Sequence, residues 1–284
     1  MTFIWGTTFV VVKVAVETID PVVFVASRFA VGTLALLLVV APRLRRLTPS
    51  AIGRSVFLGT LLAAGFLLQT WGLRETLPAR AAFITGLNVL FVPVMVAALN
   101  RVVPDRRTML ALGLAALGTG VLFGPDLLAA GDGGALLGDL LVLGCAVAFA
   151  AHIVGISRLA HDLDASLTTT VQLGTVALIT GLWVAIAGTP LPGEGSATLA
   201  ILYTGVLATA LIFFLQTWAQ QRLGATTTAL IFALEPVFAA IVSVLTYGEV
   251  LTLPVLLGGG LILGAILLRA TVEEEQPATA PSRP

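Results

Sequence analysis

Five ionisable side chains stand inside long apolar stretches of the chain: Lys13, Arg28, Asp139, His152 and Glu235. A charge at the centre of a membrane helix costs about 2.5–3.5 kcal/mol even on insertion scales, so residues of this kind are default functional candidates. Arg28 is a fixed positive charge, suited to an anionic substrate group or to a carboxylate partner such as Glu235. Glu235 directly precedes Pro236. Proline removes a backbone donor and frees a carbonyl in the preceding turn, so a carboxylate and polar backbone coincide at one helix break. That pairing suits a cation or a proton, which makes Glu235 the candidate for proton or ion coupling. The blander reading is a salt-bridged or protonated kink residue. Pro93 marks the matching helix break in an earlier stretch, with the neutral amide of Asn88 about a turn before it.

The other candidates carry weaker signals. His152 is either an acid–base group or a structural histidine between neighbouring helices. Lys13 lies toward one interface, where its stem can snorkel. Asp139 falls in the first turn of an apolar stretch, where a negative charge suits a helix N-terminus. Gln69 and Gln216 belong to a tripeptide, Gln-Thr-Trp, that occurs twice. Their amides can hydrogen-bond across helices or to a substrate, and the accompanying Trp71 and Trp218 suit interface anchoring. Gly155-Ile156-Ser157 superficially resembles a serine-nucleophile motif with His152 and His161 nearby, but Arg158 stands where a second glycine belongs. His152 is more than one helical turn from Ser157, so no base is placed for that hydroxyl. P-loop, zinc-cluster and haem motifs are absent, so the chain is expected to be no enzyme and to need no cofactor or metal. Cys145 is the single cysteine and has no disulfide partner within the chain.

The elements that hold these residues are set by composition. Of the 284 residues, 58% are hydrophobic and 11% charged, with a mean hydropathy of +1.05. Soluble domains carry about 25% charged residues, so this is a polytopic membrane protein. The net charge of zero offers no case for a nucleic-acid partner. At about 20 apolar residues per crossing, there are about ten candidate spans: 3–18, 22–41, 54–73, 80–99, 108–124, 135–156, 166–188, 197–219, 226–247 and 252–269. The runs are continuous and rich in Ala, Leu and Gly, unlike alternating barrel strands. The fold class is all-α, and the linkers leave no room for a soluble domain.

Placing the N-terminus inside puts eleven arginines in the inner loops and tail and only Arg74 and Arg80 outside. The positive-inside rule then sets both termini in the cytoplasm of a multi-pass inner (plasma) membrane protein. The Glu- and Pro-rich tail, 271–284, is expected to be disordered. The first span has only about 16 residues before Asp20-Pro21, roughly 24 Å of helix. With no basic n-region or cleavage site it is not a signal peptide, and the expectation is that the native chain begins upstream of Met1.

The chain also repeats itself. Gln69-Thr70-Trp71 returns as Gln216-Thr217-Trp218, 147 positions later, and Asp20 matches Asp164 at a shift of 144. On that second shift Arg28 falls on Gln172 and Trp5 on Phe149, while Gly59 matches Gly205 at 146. The halves are 1–125 and 135–270. Five helices per half is odd, so the second copy enters from the opposite side. Inverted repeats belong to secondary transporters, whose halves rock about a midplane site. Gly120/Gly124 and Gly260/Gly264 make small-xxx-small faces on the fifth and tenth spans, suited to helix packing or to a homodimer.

Several motifs together resemble one family. Trp5-Gly6-Thr7-Thr8-Phe9 with Lys13 and Arg28, the stretch from Gln69 to Leu73, and Ala82 to Leu87 followed by Pro93 are similar to the EamA-like family of the drug/metabolite transporter superfamily. Leu234-Glu235-Pro236 and Gly248-Glu249 resemble its ninth span and the end of that span. The resemblance covers essentially the whole chain. It implies a ten-helix carrier, often an exporter of amino acids or other small metabolites, with a cavity between the first, third, fourth, sixth, eighth and ninth spans. One departure stands out: the first half has no glutamate matching Glu249, with Asp105 or Arg106 nearby instead. The resulting expectation is alternating access for a small polar substrate, with export ahead of uptake or exchange.

Overall fold

The computed structural model describes residues 1–128, 134–191, 196–232 and 234–273, and these contain helices and no strand. In chain order the helices are α1 (Thr2–Val16), α2 (Pro21–Val40), α3 (Pro49–Glu75), α4 (Pro78–Gly86), α5 (Asn88–Leu99) and α6 (Arg106–Leu128). The second half continues with α7 (Gly134–Leu159), α8 (Ala165–Ala187), α9 (Ser196–Leu202), α10 (Ile212–Phe232), α11 (Glu235–Val242) and α12 (Leu253–Glu273). A 3₁₀ turn, Ala41–Arg46, follows α2. π-Helical backbone at Tyr203–Leu211 joins α9 to α10, and a second π-turn, Ser243–Tyr247, extends α11.

Starts are written locally. Asp20 accepts hydrogen bonds from the amides of Val22 and Val23, and Pro21 takes the first helical position, where it needs no donor. Its repeat counterpart Asp164 does the same for Ser166 and Leu167 at the start of α8. Thr48 caps α3 ahead of Pro49.

The protein is all-α and polytopic, but its spans are unequal. Six helical stretches among the described residues are long and apolar enough to cross a membrane, while α1, the α11 stretch Glu235–Tyr247 and Leu253–Leu268 of α12 are shorter. Two boundaries differ from expectation. The expected turn between the eighth and ninth spans is absent, and helical backbone continues from Ile212 to Phe232. No proline stands there to end the helix, and the next described helix starts only at Glu235-Pro236. At the other end, α12 runs to Glu273, so the first residues of the expected disordered tail are helical; the rest lie outside the described residues.

The halves interlock: α1 packs on α11, α2 on α8 and the π-segment, α3 on α7, and α6 on α12. Glycine decides how closely. A Cβ on Gly118 would lie 2.7 Å from the Gly258 carbonyl, and one on Gly258 would lie 2.7 Å from that of Gly118. The fifth and tenth spans thus use this glycine pair against each other. Gly120 and Gly260, expected to serve packing or a dimer, have nothing within 4 Å.

Candidate functional site

One cavity between the halves holds Trp5, Arg28, Gln69, Asn88, His152, Gln216 and Glu235 of the candidates read from the sequence. Its walls come from α1 (Trp5, Thr8), α2 (Arg28), α3 (Phe66, Gln69), α4 (Thr85) and α5 (Asn88) in the first half. In the second half they come from α7 (Phe149, His152, Ile153), α10 (Phe213, Gln216, Phe232) and α11 (Glu235). The space between these walls, open solvent included, is about 490 Å³. The second span, through Arg28, adds to the six lining spans that the resemblance implied.

Arg28 is 2% exposed. Its Nε donates to Thr209 Oγ1 at 2.6 Å, and its guanidinium lies over the Phe66 ring at 4.6 Å. Desolvated cations gain from an aromatic face, but among the described residues the guanidinium has no carboxylate within ion-pair distance. The expected Arg28–Glu235 counter-ion pair is therefore not formed; both residues line the same cavity without bonding. Glu235 makes no hydrogen bond or ion pair among the described residues. It occupies the first turn of α11, where the dipole of the following helix favours a negative charge.

The two helix breaks meet. The fourth span is interrupted at Leu87, between α4 and α5, and not at Pro93, which lies buried inside α5. Pro93 still withholds the amide that would bond Val89; the interruption itself falls next to Gly86, a poor helix former. A Cβ on Gly86 would lie 2.9 Å from the Pro236 ring. Only glycine lets the break in the first half lie against the break in the second. Asn88, at the start of α5, is 5% exposed and its side-chain oxygen has no hydrogen-bond partner.

The π-segment is the other local irregularity. Long π-helix is rare and frequently functional, and here α1 and α2 hold it from the cavity side. Trp5 Nε1 donates to the Ala208 carbonyl at 2.9 Å, and Thr7 Oγ1 shares a 2.6 Å hydrogen bond with the Tyr203 hydroxyl. Together with the Arg28–Thr209 bond, these ties give the cavity's cation and its tryptophan a common support.

His152 Nε2 is 2.7 Å from Gln172 Oε1, and both side chains are buried. Gln172 was visible in sequence only as the repeat counterpart of Arg28; its Nε2 remains unpartnered. Gln69 Nε2 donates to Thr85 Oγ1 at 3.4 Å, and Gln216 Nε2 to Gln220 Oε1 at 3.0 Å, leaving Gln216 Oε1 unpaired. Unsatisfied polar groups of this kind, bordering a cavity, are available to a ligand.

Sequence reasoning missed Thr8, Phe66, Thr85, Phe213 and Phe232, although the repeat carries a signal for them. Phe66 and Phe213, Thr85 and Phe232, and Asn88 and Glu235 are each 147 positions apart; Thr8 and His152 are 144 apart. The shifts that align the halves thus pair most of the lining residues.

Two of the five ionisable candidates lie elsewhere. Lys13 Nζ donates to the Arg74 carbonyl at 3.0 Å, a cation at the last turn of α3. Asp139 is not in the first turn of its helix but six residues in; it is fully buried, accepts from Thr76 Oγ1 at 2.8 Å and pairs with Arg80. Arg80, counted in sequence as an outer-loop charge, belongs to α4. Ser157 Oγ is buried with no hydrogen-bond partner, so neither nearby histidine engages it. No group of His, Cys, Asp or Glu among the described residues is arranged to hold a metal. In the loop before α8, hydrogen bonds from Arg54 hold the Asp162 carboxyl below the usual carboxylate range.

Comparison with known proteins agrees with this architecture. The EamA-like transporter family matches residues 1–124 and 136–271. An uncharacterized transporter of Archaeoglobus fulgidus is 30% identical over 268 residues, covering 93% of this chain and 82% of its own length. The uncharacterized transporter YoaV of Bacillus subtilis is 25% identical over 275 residues, covering 94% and 93%. A solved crystal structure, 18% identical, superposes with a TM-score of 0.68 over 97% of this chain and 98% of that one, a likeness of fold.

Proposed function

Because the chain belongs to the EamA-like transporter family, we propose that this multi-pass membrane protein exports a small zwitterionic or polar-amphipathic metabolite, such as an amino acid, by alternating access. The observation that carries the reading is that Arg28 and Glu235, the cavity's one cation and one carboxylate, open onto the same space without pairing. A zwitterion supplies the missing partner to each: its carboxylate meets Arg28, and its ammonium meets Glu235. Phe66, Phe149, Phe213 and Phe232 accept an apolar portion, and Gln69, Asn88 and Gln216 offer neutral hydrogen bonds.

In this reading the substrate neutralises two buried charges whose isolation is costly, and so favours closure of the halves around it. When the substrate leaves, Glu235 takes up a proton, which couples the return to the proton gradient. The arginine distribution supports a reading in which both termini face the cytoplasmic side of the plasma membrane.

The test is metabolomics of a deletion strain against an overexpressing strain, followed by transport of the metabolite so identified in liposomes. Intracellular accumulation on deletion, restored by the wild-type gene and not by Arg28→Gln or Glu235→Gln, is the expected result. Depletion on deletion would reverse the direction, and transport indifferent to both substitutions would overturn the site.

A further inference from the structure

The halves are tied at both ends of the bundle, and the ties differ in kind. At the end where α3 stops and α4 and α7 begin, the bonds are buried. Asp139 of α7 holds Thr76 and Arg80 of the first half. Glu249, 6% exposed, accepts from the Ala79 amide at the start of α4 at 3.0 Å and from Ser243. Outside this buried set, the Tyr247 hydroxyl donates to Glu17 at 2.9 Å in an exposed bond. The backbones themselves touch here: a Cβ on Gly72 of α3 would lie 2.7 Å from the Gly138 carbonyl of α7.

At the opposite end the ties lie in the open. Arg54 grips Asp162 at 2.8 and 3.2 Å, Arg43 reaches Asp164 at 3.3 Å, and Arg158 donates to Asn100 at 2.6 Å. The side chains of the first two pairs are 30–49% exposed. Exposed pairs are screened and contribute little.

A buried pair behaves differently, because parting it in a dry environment strands two charges. It separates only when water enters with the movement, so it opens as a unit and does not fray. We infer that Thr76, Arg80, Asp139 and Glu249 form the gate that closes the cavity at the α4 end. The inference rests on alternating access.

The chain carries its own reporter. Cys145, the single cysteine, lies on α7 between Asp139 of the gate and Phe149 of the cavity and is fully buried. Opening the gate exposes it to one side of the membrane. Full-length protein in sealed vesicles of each orientation is treated with a membrane-impermeant maleimide, and the Cys145 adduct is followed by mass spectrometry. Asp139→Asn and Glu249→Gln should each speed labelling at least about tenfold, the equivalent of about 1.4 kcal/mol of gate stability, and from one face only. Asp162→Asn, at the exposed end, should leave the rate unchanged.

Unchanged labelling in both gate variants overturns the inference. Labelling that rises equally from both faces also overturns it, because that reports general loosening. Should Asp139→Asn not fold, Glu249→Gln, close in size and shape, decides alone. Failure here concerns Cys145 access, whereas failure of the transport reading concerns substrate movement by the Arg28 and Glu235 variants.

Discussion

Trp5, Thr8, Phe66, Gln69, Thr85 and Asn88 of the first half line the cavity opposite their repeat counterparts Phe149, His152, Phe213, Gln216, Phe232 and Glu235. Three of the six pairs keep their kind, an aromatic answering an aromatic twice and an amide an amide once. Charge is not shared. The first half supplies Arg28 where the second has Gln172, and the second supplies Glu235 where the first has Asn88. In the proposed transport cycle, likeness of the two halves would serve two states of similar energy, and the asymmetry of charge would give a zwitterion one orientation.

The largest effect comes from erasing that asymmetry. Arg28→Gln or Glu235→Gln gives both halves neutral amides at the position concerned. Removing one buried, hydrogen-bonding charge typically costs about 2–5 kcal/mol of binding, so substrate affinity measured by isothermal titration should fall roughly 30-fold or more. Equal loss for a zwitterion and for its uncharged analogue would break the comparison.

A second substitution asks how Arg28 is held. Thr209→Val removes the acceptor of its Nε hydrogen bond, and a bond to a charged group is worth about 1.5–3 kcal/mol. Transport should fall about tenfold or more, and Thr209→Ser, which keeps the hydroxyl, should restore most of it. The corresponding support in the second half is the His152–Gln172 pair. Gln172→Leu leaves a buried His152 nitrogen without its partner, so the expected outcome is a loss of about 1–3 kcal/mol of stability, read as a lower Tm in detergent.

The smallest effect belongs to the exposed rim. The carboxyl of Asp162 is lowered by its bonds to Arg54. A lowered folded-state value stabilises above the unfolded value, near about 3.9, and is lost as pH falls through the folded one. Asp162→Asn should therefore give a slight Tm decrease at neutral pH that disappears below about pH 4.

Much of this was legible in one dimension because membrane insertion taxes charge so heavily. Arg28, Glu235 and His152 stood out against apolar surroundings, and all three line the cavity. Asp20 and Asp164 stood out only as a repeat match, and the structure makes them the caps of α2 and α8. Other features were invisible for equally physical reasons. The break at Leu87 rather than Pro93 reflects Gly86 lying against Pro236, a contact between residues 150 positions apart. Asp139 read as a helix-terminus charge because its partners lie far off in sequence, Thr76 just past the end of α3 and Arg80 on α4.

Sequence by itself determined that the chain is an all-α polytopic membrane protein and which few ionisable residues needed an explanation; the internal repeat is its argument for two inverted copies. Composition and periodicity are local properties, and a bilayer enforces them strictly. Only the tertiary structure decided that Arg28 and Glu235 share a cavity without pairing, that π-helical backbone supports the cation, and that buried bonds tie the halves around Asp139 while exposed pairs tie them at Arg54 and Arg43. Those outcomes depend on distances between helices, which close glycine contacts and interlocked halves set and no single stretch of sequence contains.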